Sequence, residues 1–130
     1  MARPRLGDER GSSPVEFVLV GALLTVLTLA VLQFGLAVYV RNVLHDAASD
    51  GAYHAALADT SLAEGAERTR ALIARSVGDA YDADVSARRT EALGAPAVEV
   101  TVRATLPLAG LLGASRMLEV TARAPLESLD

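Results

Sequence analysis

Cysteine is missing from this 130-residue chain, and so are lysine and tryptophan. Without Cys there is no disulfide, no thiolate metal site and no Cys nucleophile. Aromatics make up 4 % of the residues although 52 % are hydrophobic. The apolar mass is therefore Ala, Val and Leu rather than the large rings that dominate many compact cores. All 12 basic residues are Arg, set against 16 acids. The net charge of −4 removes the basic face that nucleic acid demands. Charged residues at 22 % beside so much apolar mass exclude disorder throughout.

Catalytic and ligand-binding patterns are equally sparse. The two histidines, His45 and His54, are not at one-turn spacing. With Asp46 and Asp50 nearby they read as the polar side of a surface helix rather than a metal site. Asp79, Asp82 and Asp84 look like a fragment of a calcium loop. The sixth and twelfth positions, which need Gly and Glu, are Asp84 and Thr90, so a solvated turn is expected. Gly110 and Gly113 lie in an apolar stretch without the Lys of a phosphate loop. No serine has a plausible base. The residues point to no enzyme, no cofactor, no metal and no small-molecule substrate.

What the chain does have is a run of 24 residues without a charge, Phe17 to Val40. As a helix it reaches roughly 36 Å, more than the ~30 Å hydrocarbon core of a bilayer. A helix satisfies its own backbone groups, which lipid requires. The run is too long for the apolar part of a secretory signal, and Val38-Tyr39-Val40-Arg41-Asn42 offers no small-residue cleavage site. Arg3, Arg5 and Arg10 precede the run, outnumbering Asp8 and Glu9, whereas Arg41 alone follows before His45 and Asp46. The positive-inside rule then puts the amino end in the cytoplasm. Residues 41–130, with nine Arg and 13 acids, face outward.

Beyond the run, Val40, Val43, Leu44, Ala47, Ala48, Ala52, Ala55 and Ala56 recur at three- and four-residue steps. Arg41, Asn42, Asp46, Ser49 and Asp50 take the other side, and Gly51 weakens the helix without stopping it. One long helix is expected from about Pro14 to about Leu57. A second helix starts at a capping box, Ser61 with Glu64, with Thr60 as a competing cap. Its apolar stripe is Leu62, Ala66, Thr69, Leu72, Ile73 and Val77, and Gly78 ends it. Glu64 with Arg68, and Glu67 with Arg70, stand at ion-pair spacing.

The last third changes period. Val98, Val100, Val102, Ala104 and Leu106 alternate with Glu99, Thr101, Arg103 and Thr105 until Pro107. Leu118, Val120, Ala122 and Ala124 do the same against Glu119, Thr121 and Arg123 until Pro125. The two segments nearly copy each other, and antiparallel pairing sets Arg of one near Glu of the other. A weaker strand runs over 84–90. Between the good strands, Leu108, Leu111 and Leu112 form an apolar loop that covers the sheet, touches the membrane or meets a partner.

The fold expected is α+β: a long N-terminal transmembrane helix continuing outside the membrane, then a small head with an amphipathic helix and an antiparallel sheet of two or three strands. The expected divisions are a short basic leader at 1–11, a transmembrane helix at 12–40, a helix extension at 41–57 and an extracytoplasmic head at 58–130.

The start of the run carries the most specific pattern. Glu16 stands at the threshold of a charge-free segment, where a carboxylate is costly unless it sits at a helix amino end. It is the fifth residue after Gly11, and Arg10 closes a basic leader just before. This arrangement resembles a type IV prepilin signal. The stretch from Gly11 to Ala56 is similar to the TadE-like family, minor pseudopilins of the tight-adherence (Flp) pilus apparatus. The residues that carry the likeness are Val15-Glu16-Phe17, Gln33-Phe34-Gly35, Tyr39-Val40-Arg41-Asn42 and Ala47-Ala48-Ser49-Asp50-Gly51-Ala52.

The resemblance implies cleavage between Gly11 and Ser12 by a prepilin peptidase at the cytoplasmic face of the membrane. It implies partners among other pilins, pseudopilins and Tad assembly proteins, besides the lipid bilayer. It makes Glu16 the assembly carboxylate, with Phe17, Phe34, Gly35, Tyr39, Arg41 and Asn42 as supporting positions. The chain departs from the pattern at Pro14, third after the cut, and at Gln33, where an acid often precedes the Phe-Gly pair. The alternative is a generic single-pass membrane protein whose head binds an unrelated envelope partner.

Overall fold

The computed structural model describes residues 9–78, 83–106 and 116–128, the side chains of 9, 10, 106 and 116 apart. Two helices and three strands follow in order: α1 (Glu9–Ala56), α2 (Leu62–Val77), β1 (Ala83–Ala92), β2 (Ala95–Leu106) and β3 (Arg116–Pro125). This is the α+β architecture expected from the sequence. The chain divides into two compact units, Met1–Leu36 and Ala37–Asp130.

In the first unit the described residues are helical from Glu9 onward, five positions earlier than Pro14, and Pro14 lies inside the helix. Its side chains are mostly exposed, including Phe17, Leu23, Leu27 and Leu32. Among the described residues α1 is the helix long and apolar enough to cross a membrane, and none of its most apolar 18-residue window is buried. Bare leucines around a whole helix circumference suit lipid as the solvent.

The second unit is the head. From Ala37 the same helix becomes one-sided: Val40, Leu44, Ala47, Ala48, Ala52, Ala55 and Ala56 are buried, while Arg41, Asn42, His45 and Asp46 are exposed. Full burial of Leu44 contributes about 1.5–3 kcal/mol. The end of the helix is closed by two donors. The Thr60 hydroxyl donates to the carbonyls of His54 and Leu57, and the Glu127 amide donates to the Ala56 carbonyl at 3.0 Å. Thr60 thus serves the end of α1, and Ser61 alone caps α2. In the capping box the Glu64 amide donates to Ser61 Oγ at 3.2 Å and the Ser61 amide to Glu64 Oε2 at 2.7 Å.

That engagement corrects one expected ion pair. Glu64 turns back to the cap, and Arg68 reaches across to Asp50 on α1 instead. Glu67 and Arg70 do pair, at 2.9 Å. The two helices meet at glycines. A Cβ built on Gly51 would stand 1.8 Å from Thr69 Oγ1 and 2.7 Å from the Gly65 carbonyl oxygen. One on Gly65 would stand 2.4 Å from the Ala55 Cβ. The helices therefore approach closely with neither glycine able to carry a side chain, and Thr69, fully buried, turns its hydroxyl to the Gly65 carbonyl at 2.9 Å.

The strands form one antiparallel sheet in the order β1-β2-β3. Val98, Val100, Val102 and Ala104 face the helices with Val85, Val120, Ala122 and Ala124. Alternation on a half-buried sheet accounts for this inner face. The strand expected at 84–90 extends over Ala83–Ala92 and closes on β2 by a two-residue turn, Leu93-Gly94, both at positive φ (54° and 79°). Two positive φ values are what a type I′ hairpin needs, and Leu is an unusual residue to supply one. The apolar loop of Leu108, Leu111 and Leu112, most of the leader, and Asp79 and Asp82 lie outside the described residues.

Candidate functional site

Two places hold the chemistry, one in each unit. In the first unit Gly11, Ser12 and Glu16 lie on α1, and Ser12 and Glu16 are exposed. Residues four apart share a helix face, and helical side chains lean toward the amino end. Glu16 and Ser12 thus share one face of the helix. A Cβ on Gly11 would meet nothing within 4 Å. Pro14 has no amide hydrogen, and its ring crowds the carbonyl four residues earlier, that of Arg10.

The supporting positions are spread along the helix from Phe17 to Asn42. Phe17 is 80 % exposed, Phe34 72 % and Tyr39 54 %. Gly35 has open space around it, and Arg41 and Asn42 are exposed on the head's part of α1.

In the head, the outer face of the sheet carries an ordered set of charges. The register places Arg88, Glu99 and Arg123 in one rung, Ser86, Thr101 and Thr121 in the next, and Asp84, Arg103 and Glu119 in the third. Glu99 takes Arg88 on Oε1 (Nη2 at 2.6 Å) and Arg123 on Oε2 (Nε at 2.7 Å). Arg103 Nε donates to Glu119 Oε2 at 2.8 Å. The bond from Arg88, then that from Arg123, holds the Glu99 carboxyl below its ordinary value against the opposing effect of desolvation. Only 4 % of Glu99 is exposed. Its cover is thin, made of two arginines that are themselves 70 % and 56 % exposed, so it is shielded without being deep. Glu119, through its hydrogen bond first, raises Arg103.

The duplicated motif foretold the Glu99–Arg123 and Arg103–Glu119 pairs. Arg88 was missed, because β1 alternates weakly; its signal was the spacing of Arg88 from Asp84. The Gly51–Gly65 contact was also missed, since neither glycine says what lies across from it. Among the described residues no three His, Asp or Glu side chains converge on a point that a metal would occupy.

With this geometry in view, the comparison with protein families is specific. Residues 11–52 match the model of the family described as TadE-like protein. The match begins at Gly11 and ends beside Gly51, so it spans the apolar helix and its passage into the head. The TadE-like family is associated with Tad pilus systems as a structural rather than an enzymatic family. No curated protein and no solved structure matches the chain.

Proposed function

We propose that this TadE-like chain is a pseudopilin-like subunit assisting assembly of a Tad-type pilus. It is anchored in the cytoplasmic membrane with its amino end inside and its head outside. A prepilin peptidase removes residues 1–11. The observation that carries the reading is the family match starting at Gly11, with Glu16 fifth after it and the charge-free run immediately beyond.

Pro14 supports the cut on energetic grounds. In the uncut helix it is an interior residue, and an interior proline costs about 3 kcal/mol. Once residues 1–11 are gone, Ser12 opens the helix and Pro14 falls in the first turn, where its missing amide hydrogen costs nothing. The same property makes the segment before Pro14 easy to unwind into a peptidase.

Cleavage bares an ammonium on Ser12. Glu16, one turn on, pairs with it or with the ammonium of a neighbouring subunit. At the membrane boundary an unpaired charge is far costlier than a paired one, so the pair sets the axial register of stacked helices.

Amino-terminal sequencing and intact mass of the membrane-extracted protein test this. The mature chain is expected to begin at Ser12, and Gly11→Ala to retain its leader. Glu16→Ala is expected to reach wild-type membrane levels while losing assembly with its partners. A mature protein still beginning at Met1, or normal assembly of the Glu16 variant, overturns the reading.

A further inference from the structure

The two outer edges of the sheet are finished differently. On β1 the carbonyl of Val85 accepts Arg70 Nη2 from α2 at 3.0 Å, and α2 lies beside that strand. The other edge is β3. The amide of Leu126 donates to the Pro96 carbonyl at 3.0 Å, continuing the register that pairs Ala97 with Pro125. Antiparallel ladders alternate hydrogen-bonded and non-bonded pairs. Leu118, Val120, Ala122 and Ala124 therefore spend their amides and carbonyls on β2. Met117, Glu119, Thr121 and Arg123 turn theirs outward. Pro125 agrees with this phase, because its missing donor falls on the outward side. Among the described residues no strand meets that edge.

The charges say what would fit. Across the sheet one rung reads plus, minus, plus from Arg88 to Arg123, and the other minus, plus, minus from Asp84 to Glu119. A fourth strand continuing the alternation carries an acid opposite Arg123 and a base opposite Glu119, while like charges there are destabilising. Both side chains remain more than half exposed, so a second partner can reach them. On an antiparallel strand the acid comes first, then a hydroxyl opposite Thr121, then the base. The inner edge of β3 already holds such a strand: Glu99, Thr101 and Arg103 of β2.

We propose that the outer edge of β3 receives an extended segment of a partner polypeptide as an added antiparallel strand, with an acid, a hydroxyl residue and a base at alternate positions. A second copy of this chain, paired symmetrically about Thr121, matches the charges as well. The Ala37–Ala56 part of its α1, which packs on the inner face of the sheet, then runs opposite to the first. A second copy is the competing occupant, and the disulfide test separates the two. The proposal concerns the head alone and is independent of leader removal.

A fluorescent peptide copying residues 97–105, titrated with the full-length protein in nanodiscs and read by anisotropy, tests it. Saturable binding is expected, and a peptide with its Glu and Arg exchanged binds about tenfold more weakly. T121P removes an outward donor without touching the β2 ladder, so it keeps the melting curve and loses the peptide. In the wild-type protein, hydrogen exchange shows the peptide protecting the amides of Glu119, Thr121 and Arg123, a readout that needs no variant. Absence of saturation, equal binding of the exchanged peptide, or no protection at these three amides overturns the proposal. A T121C disulfide dimer in the membrane gives the edge to a second copy and overturns it too.

Discussion

The two parts of α1 are both rich in apolar residues and present different surfaces. Up to Leu36, leucines and valines point in every direction and stay exposed. From Ala37 the apolar residues fall on one side and are buried, and the polar ones fall on the other. Helix propensity does not separate them. What separates them is circumference: an apolar surface all round suits lipid, and an apolar stripe suits a sheet. The side chains where the second part meets α2 are also smaller. Ala47, Ala48, Gly51, Ala52 and Ala55 let α2 come close, whereas large residues such as Phe17 and Phe34 are left to the span.

Truncation should break this comparison most sharply. Leu44→Ala is expected to destabilise the head by about 2–5 kcal/mol, the cost of a fully buried leucine and its cavity. Leu27→Ala, the same chemical change in the exposed part, should leave the head's thermal melt in place. Circular dichroism in nanodiscs measures both, and equal losses would erase the distinction between the two parts.

Glycine gives a smaller version of the same contrast. Gly51→Ala pushes a methyl into the Thr69 hydroxyl and the Gly65 carbonyl, and its net cost of about 1–2 kcal/mol remains after the gain in helix propensity. Gly35→Ala meets nothing and should be neutral or slightly stabilising. Thr69→Ser does not relieve the Gly51 variant, because serine keeps the obstructing hydroxyl and the Gly65 carbonyl oxygen stays in the way behind it.

The mildest test lies on the outer face of the sheet. Glu99 has a lowered pKa in the folded head, so its pairs contribute fully above the unfolded carboxylate value of about 4.3. That contribution is lost as the pH falls through the lower folded value. Glu99→Gln should cost about 1 kcal/mol at neutral pH, a small figure because both arginines are largely in water. Its melting temperature should converge with that of the wild type on acidification. A gap that stays constant down to pH 2 would show that packing, not charge, holds the rung.

Much of this was legible in the residues because it depends on spacing along the chain. The uncharged run, the one-sided pattern from Val40 onward, the Ser61–Glu64 box and the period-two strands follow from 3.6- and 2-residue repeats. The pairing of Glu99 with Arg123 followed from a duplicated motif. The choice made by Arg68 was not legible: Glu64 was four residues away in sequence, but the cap took it and Asp50 lay across the helix interface. The candidate processing site was readable for a different reason, since Gly11, Ser12 and Glu16 are close in sequence and need no fold to bring them together.

The sequence by itself determined which segment suits lipid, where the helices and strands lie, and which residues share a face, because hydrophobic period and caps are local properties. Only the tertiary structure decided that Gly51 meets Gly65, that β2 is central, that Arg70 closes one edge, and that Arg88 joins Glu99. Those outcomes depend on which surfaces come together in space, and close packing selects one arrangement among many that the same local pattern allows.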